Sequence, residues 1–219
     1  MRENHFQQKN YKNYLYSGFL GILFRWQHKM LSPKIYKNCE KILEIGPGFE
    51  PNLKFTKLNF KEYYCLELNQ NIDHEDYYKK NFPNIKFNTY DGKSIKFEDN
   101  YFDRIIISHT LEHILDFENF LIEMLRVLKK GSVISIASPC DNGLLWRLGR
   151  YMLKKTYHKY KKTSEIDYDY LIAKEHVNTI FQIISVLKKN FHIVDETYLP
   201  FRFKIIDLNL IHICHVMKK

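Results

Sequence analysis

The stretch Ile42-Leu43-Glu44-Ile45-Gly46-Pro47-Gly48 is an apolar run that stops at two closely spaced glycines. Short apolar runs bounded by glycine and proline are typical of buried strands. Glycine at positions 46 and 48 permits a tight turn and lets backbone N–H groups approach a ligand closely. The spacing lacks the third glycine of a dinucleotide-binding loop, and the chain has no G-x-x-x-x-G-K-[ST], which disfavours hydride transfer and P-loop phosphate chemistry. A plain β-turn without a ligand is the alternative.

Apolar runs and segments of helical periodicity alternate on the C-terminal side of this strand, which predicts an α/β fold with a mainly parallel sheet. Strands are predicted at 41–45, 63–68, 85–90, 103–108 and 132–137, with closing strands at 191–199 and 208–217. Helices are predicted at 71–81, from an Asp116 N-cap to Gly131 with Lys129 and Lys130 in the last turn, and from Val177 to Asn190.

Composition and charge exclude several other classes of protein. With 219 residues, 45% apolar and 27% charged, the chain is globular rather than fibrous or low-complexity. The apolar stretch 14–24 is too short to span a bilayer, and no cleavage site follows it, so we expect a cytoplasmic protein. Four scattered cysteines form no C-x-x-C pair, which argues against a zinc site or a disulfide framework.

The net charge of +9 lies in the flanks of the chain. Residues 1–40 carry a charge of +5, residues 41–140 carry −2, and residues 141–219 carry +6. Basic flanks around a slightly acidic middle indicate surfaces that meet something anionic.

Four motifs, in order along the chain, resemble those of class I S-adenosylmethionine-dependent methyltransferases. They are the 42–48 stretch, Glu67 at the end of the second strand, Asp91-Gly92 after the third, and residues 101–113, which read YFDRIIISHTLEH. The branch with ubiquinone and menaquinone methyltransferases is the most similar, and Glu175-His176-Val177-Asn178 resembles a motif of methyltransferases from bacterial surface-glycan gene clusters.

The resemblance implies a Rossmann-like, seven-stranded, mostly parallel sheet with helices on both faces and an antiparallel final strand. It implies a methyltransferase domain over residues 39–219, preceded by a helical N-terminal cap over 1–38. A basic helical insertion after strand five, residues 139–174, would lie on the acceptor side. Long insertions in compact domains are usually functional, which supports a role for this segment.

The cofactor implied by the resemblance is S-adenosyl-L-methionine. Its methionine part would lie against Gly46, Pro47 and Gly48 with Glu44 toward the ammonium. Glu67 would accept hydrogen bonds from the ribose hydroxyls and Asp91 one from the adenine amino group. The remaining expected contacts are Leu68, Gly92, Ser108 and His109. For each carboxylate taken alone, a solvated charge at a strand end is the alternative.

An oxygen acceptor benefits from a general base, and histidine is the side chain best suited to that role near neutral pH. His113 and His176 are the candidates, with helix-start packing or capping as the alternative for His113. Glu175 is placed near the positive end of the following helix, where its role could be structural. His212 and His215, in an apolar strand, are expected to be core or edge histidines.

The insertion has seven Lys/Arg and no acidic residue between Trp146 and Thr163. It could bind phosphates and sugars or bases, lie on an anionic membrane surface, or form a solvated helix face. We expect O-methylation of a small-molecule or glycan acceptor, such as a sugar or a lipid-linked glycan intermediate. An RNA or protein methyltransferase and a non-catalytic cofactor-binding scaffold are the alternatives; the former is disfavoured because no Asn/Asp-Pro-Pro-aromatic signature follows strand four.

Overall fold

The computed structural model describes residues 16–32, 39–57, 59–68, 74–91, 94–161 and 165–219. Its centre is a seven-stranded sheet of order β3-β2-β1-β4-β5-β7-β6. The strands are β1 Lys41–Ile45, β2 Glu62–Leu68, β3 Ile85–Tyr90, β4 Phe102–Ser108, β5 Leu128–Pro139, β6 Phe191–Leu199 and β7 Ile211–Lys218. The pairs among β1 to β5 are parallel, and β7 runs antiparallel to both β5 and β6. This confirms the predicted fold class, including the antiparallel final strand.

Helices cover both faces of the sheet because the central strands are apolar on both sides. The helices are α1 Gly18–Leu31, α2 His74–Asn81, α3 Phe117–Val127, α4 Leu144–Lys161, α5 Glu165–Glu175 and α6 Ile180–Asn190. Leu43 and Ile105 pack with α3 and α6 in one core, whereas Ile42 and Ile106 pack with α1 and α2 in the other. Side chains alternate across a strand, so this pattern assigns α1 and α3 to opposite faces.

The predicted boundary between α3 and β5 is wrong. The helix ends at Val127 instead of running to Gly131, and the strand begins at Leu128 instead of Ser132. Leu128 pairs with Phe102, and the register then shifts before Arg104 meets Val133. The irregularity takes Lys129 away from the helix end, and its ammonium lies 2.7 Å from the Asp103 carboxylate. Asp116 does cap the helix, since its side chain accepts from the Asn119 backbone N–H.

The predicted position of residues 175–178 at a helix start is also wrong. Glu175 is the last residue of α5, and α6 begins at Ile180 behind a Thr179 capping box with Gln182. Val177 and Phe181 are exposed, while Ile183 fills the core position between Ile180 and Ile184. Leu208, predicted in the last strand, belongs to a 3-10 turn that precedes β7.

The N-terminal helix α1 is bound to the sheet by buried polar contacts. The Arg104 guanidinium donates to the Leu31 carbonyl and, at 3.1 Å, to Ser135 Oγ. His215 contacts the same Ser135 hydroxyl. Burial lowers the pKa of His215 to about 4, and the nearby positive charge of Arg104 adds to the effect. Helix α1 falls in the predicted helical segment 1–38; residues 1–15 and 33–38 lie outside the described part of the chain.

Candidate active site

A cavity of about 860 Å³ opens at the carboxyl ends of β1, β4 and β5. This edge is where ligands of open parallel sheets bind. One wall is polar and contains the 46–48 turn and the residues after β4. The other walls are mostly apolar and come from α1, α4, α5 and the segment after β6. The polar wall therefore faces a largely apolar chamber.

The glycine turn after β1 adopts a conformation that favours glycine. Gly46 and Gly48 have φ values of +62° and +55°. The Gly46 N–H donates to the Leu66 carbonyl at 2.9 Å, which fixes the turn against β2. A Cβ atom on Gly46 would lie 2.6 Å from Thr110 Oγ1, whereas one on Gly48 would meet nothing within 4 Å. The chain packs closely at Gly46 and leaves open space at Gly48.

Glu67 lies behind this turn and does not line the cavity. Its side chain is buried, and its Oε1 accepts from the Gly48 backbone N–H at 2.6 Å. Leu68 and Asp91 stand at the ends of the neighbouring strands β2 and β3, both exposed and both outside the cavity lining. Gly92 lies outside the described residues.

Glu44 is a buried carboxylate on the polar wall. It accepts from the Asn52 backbone N–H at 2.9 Å and from the Tyr63 hydroxyl at 2.5 Å. Burial raises the pKa of Glu44 to about 7, and the hydrogen bonds from Tyr63 and Asn52 act in the opposite direction. Glu44 can therefore change charge near neutral pH when a cation arrives.

Three polar side chains connect α1 to the residues after β4. Gln27, which is buried, donates to Ser108 Oγ at 2.8 Å and contacts His109 Nε2 through its Oε1 at 2.7 Å. His109 Nδ1 lies 3.5 Å from Glu112 Oε1. Burial opposes the ionisation of Glu112, but His109 and His113 outweigh it and lower the pKa of this carboxyl. A second ionisable carboxylate is thus held on the polar wall.

The two candidate bases, His113 and His176, come together at the cavity. Their rings are perpendicular, with centroids 4.9 Å apart. His176 Nδ1 lies 2.6 Å from Asp141 Oδ2, and Asp141 is buried. His113 Nδ1 lies 2.9 Å from the Glu175 carbonyl, which can only accept, so Nδ1 is the donor. With His176 Nδ1 donating to Asp141 Oδ2, His176 Nε2 is the atom left to accept a proton.

Hydrogen bonds to backbone carbonyls fix the distance between His113 and His176. The Val177 N–H donates to the Glu112 carbonyl at 2.9 Å. The Asn178 side chain donates from its Nδ2 to the carbonyls of Leu111 and Ile114 at 2.8 and 2.6 Å. The 3-10 turn that carries His113 is thereby joined to the segment that carries His176.

Asp141, Gln27 and Glu112 were not predicted as site residues. Asp141 follows β5, and the rule that singled out Glu67 and Asp91, a carboxylate at a strand end, would have found it. Glu112 lies within the 101–113 motif, but the motif alone does not distinguish its carboxylate from the neighbouring residues. Gln27 has no comparable signal, because its partner His109 is 82 residues away.

Residues 43–136 match a family model described as a methyltransferase domain. The PH0226 protein from Pyrococcus horikoshii OT3 is similar in structure, at a TM-score of 0.63 and 16% identity over 93% of both chains. A chain of the complex between the Haloferax volcanii Trm112 methyltransferase activator and a methyltransferase has a TM-score of 0.65 and 10% identity, covering 100% of this chain and 99% of that one.

The N-methyltransferase NodS from Bradyrhizobium japonicum WM9, solved with S-adenosyl-L-homocysteine, has a TM-score of 0.59 and 14% identity over 89% of this chain and 86% of its own. No curated protein matches the chain. The matched segment contains the glycine turn and most of the polar wall. The chain therefore carries a methyltransferase domain, whose methyl donor is S-adenosylmethionine.

Proposed function

We propose that this methyltransferase, with S-adenosylmethionine as its methyl donor, methylates an oxygen atom of a small acceptor bound between the glycine turn and His176. The observation that carries the proposal is the Asp141–His176 pair, because His176 lines the same cavity as Gly46 and Gly48 and its Nδ1 contacts the buried Asp141. A histidine held by a buried carboxylate is suited to remove a proton from a hydroxyl. Such a base is needed for a hydroxyl acceptor of high pKa.

The polar wall fits the methionine part of S-adenosylmethionine. Glu44 and Glu112 are two buried carboxylates on that wall, and among the described residues Glu112 Oε2 has no hydrogen-bond partner. Carboxylates favour a neighbouring ammonium group. The open space beside Gly48 lets a ligand lie against the backbone. These atoms would hold the charged end of the cofactor.

The other half of the cofactor is assigned on the chemistry of the strand ends. Glu67 would accept from the ribose hydroxyls through its two oxygens, and Asp91 would accept from the adenine amino group, beside Leu68 and Gly92. Pro47 would shape the turn, and Ser108 and His109 would line the side of the site nearest the acceptor. All of these residues are among the cofactor contacts that the family resemblance implies.

Each residue of the acceptor site has a separate task in the reaction. When bound, S-adenosylmethionine supplies an activated methyl group for the acceptor oxygen. His176 Nε2 accepts the proton of the acceptor hydroxyl, and Asp141 stabilises the imidazolium that results. His113, 4.9 Å from His176 between ring centroids, positions the hydroxyl. The apolar walls exclude water, which strengthens these interactions.

The acceptor that this site suits best is a sugar or a lipid-linked glycan intermediate. Trp146 lies beside His176, with ring centroids 5.8 Å apart, and aromatic rings offer apolar faces against which sugars can stack. An apolar chamber suits a lipid part of the same molecule, and peripheral contact with an anionic membrane would supply it. The motif at Glu175–Asn178 supports the surface-glycan branch. A cavity lined by α1 and α4 also favours a small acceptor over RNA or a protein.

The domain organisation that follows is a cap, residues 1–38, on a methyltransferase domain, residues 39–219. The cap contributes Phe24 and His28 to the cavity, and the insertion 139–174 contributes Trp146 and Tyr168. Both segments therefore belong to the acceptor side of the site. This organisation predicts that acceptor specificity depends on these two segments.

Titration calorimetry with S-adenosylmethionine and S-adenosylhomocysteine tests the cofactor assignment without an acceptor. We expect micromolar binding that weakens roughly tenfold or more in Glu67→Ala, because charged hydrogen bonds to the ribose and to the Gly48 N–H are lost. The matched control is Glu62→Ala at the start of the same strand. Absence of binding in the folded wild type would refute the cofactor assignment and leave only the fold, and equal binding in both variants would refute the role of Glu67.

Proton release on cofactor binding tests Glu44. Because its pKa is raised to about 7, Glu44 is partly protonated at neutral pH, and an ammonium beside it favours the charged form. We expect release of roughly half a proton at pH about 7 and binding that tightens as the pH rises from about 6 to about 7, below the range in which the α-amino group of the ligand, with a pKa of about 7.7–8.0, loses its own proton. Calorimetry in buffers of different ionisation enthalpy measures this release. Glu44→Gln should abolish the proton release. Unchanged release in this variant would show that the proton comes from another group.

A further inference from the structure

Large apolar side chains are exposed on three segments that also contribute to the cavity wall. Of the seventeen exposed large hydrophobic residues in the described part of the chain, ten lie on three segments. They are Phe19 and Ile22 on α1, Leu144, Leu148, Tyr151 and Met152 on α4, and Phe201, Phe203, Ile205 and Leu208 in the β6–β7 connection. We call these ten side chains the apolar rim. Contiguous exposed apolar surface of this kind marks an interaction site.

The three segments of the rim meet at one place. Phe19, Met152 and Phe201, one from each segment, also line the cavity. The Arg202 guanidinium lies over the Trp26 ring at 5.2 Å, which joins the β6–β7 connection to α1. The Leu144 N–H donates to Asp207 Oδ1 at 3.1 Å, which joins the same connection to α4. The three segments of the rim are therefore adjacent, and each contributes one side chain to the cavity wall.

The residues interleaved with the rim are basic. Stretches 16–32, 142–161 and 200–208 contain eight Lys/Arg in addition to Lys154 and Lys204, and one acidic residue, Asp207, which accepts from the Leu144 N–H. Among the described side chains, Arg150, Lys154 and Lys204 pair with carboxylates of neighbouring segments. Arg25, Lys29, Arg147 and Arg202 have no carboxylate partner within the described chain. On α4, the spacing of positions 144, 147, 148, 151 and 152 puts apolar and basic side chains on one outer face.

We propose that the apolar rim docks on the surface of an anionic lipid bilayer, so that the cavity opens toward the membrane and its acceptor enters from there. Apolar side chains among a clear excess of cations are the pattern of a surface that lies at an anionic membrane interface. A second copy of the chain docked on the same face would bring like charges together. The direction of acceptor entry rests on the proposed function; the docking itself does not.

Co-sedimentation with vesicles tests the docking. We expect the full chain to pellet with phosphatidylcholine vesicles containing about one third phosphatidylglycerol, much less with pure phosphatidylcholine, and less at high salt. Arg25→Ala/Arg147→Ala should weaken partitioning by on the order of tenfold. Ile22→Ser/Leu148→Ser should weaken it by a similar factor, because these side chains enter the interface. None of these four residues lines the cavity.

The matched control is Ile122→Ser/Phe181→Ser, two exposed apolar residues on α3 and α6, across the sheet from α1. It should bind vesicles as the wild type does. Absence of binding to anionic vesicles, or equal loss in the control and rim variants, would overturn the proposal. A dimer in light scattering without lipid that the rim variants dissociate would also overturn it, in favour of a second copy.

The proposed function and the membrane docking can be refuted independently of each other. Glu67→Ala should lose cofactor affinity and keep vesicle binding, whereas Ile22→Ser/Leu148→Ser should keep cofactor affinity and lose vesicle binding. Calorimetry on the rim variant also shows that it is folded. A wild type that binds the cofactor but not vesicles would leave the proposed function standing and remove the docking surface.

Discussion

Replacing His176 with Asn is expected to lower kcat by roughly 10²–10⁴-fold, the usual contribution of a positioned general base. The cofactor affinity should stay within about twofold, since the cofactor contacts assigned above do not include His176. The Asn side chain cannot take a proton from the acceptor, although it can still contact Asp141. Initial rates of S-adenosylhomocysteine formation, with a panel of sugars and lipid-linked glycans as acceptors, measure the effect.

Two variants separate the base from residues that act through it. Asp141→Asn should lower kcat less than His176→Asn does, because the imidazole remains but its positioning and the stabilisation of its charge are lost. His113→Asn should raise KM more than it lowers kcat if His113 only positions the acceptor. Partial rescue of His176→Gly by added imidazole would identify a proton-transfer role. Equal activity of wild type and His176→Asn on the same acceptor would refute the assignment.

Strands bounded by turn residues could be predicted almost to the residue. The run 85–90 stands between Pro83 and Asp91-Gly92, and the observed β3 has the predicted ends. The end of α3 could not be predicted in the same way. Leu128 fits both the helical apolar face and the strand, and its pairing with Phe102 decides the matter. That pairing joins residues 26 positions apart, which local periodicity does not report.

The same distinction applies to the site. The glycine turn and its strand-end carboxylates follow from local sequence and from the rule that ligands bind at the carboxyl edge of a parallel sheet. The Asp141–His176 contact spans 35 residues, and the Gln27 contacts with Ser108 and His109 span 81 and 82. None of these contacts produces a characteristic residue spacing that could be recognised in the sequence. The positions of α1 and α4 around the cavity also depend on contacts between distant residues, so the sequence alone allows several interpretations of the basic insertion.

Gly46 is the position in the turn where a small change is expected to have the largest structural effect. Gly46→Ala should lower the free energy of unfolding by about 2–5 kcal/mol. Roughly 1–2 kcal/mol comes from placing a Cβ on a residue with φ of +62°, and the rest from the 2.6 Å approach to Thr110 Oγ1. The displaced turn should also weaken cofactor binding strongly. Urea denaturation and calorimetry measure the two effects.

Gly131→Ala separates the two causes, because Gly131 has φ of +78° but a Cβ there would meet nothing within 4 Å. It should lose only the backbone part, about 1–2 kcal/mol, and keep full cofactor affinity. Thr110→Ala in the Gly46→Ala background should recover the steric part by removing Oγ1 and Cγ2. If Gly46→Ala were no less stable than Gly131→Ala, close packing of the turn against Thr110 would not be what requires glycine at position 46.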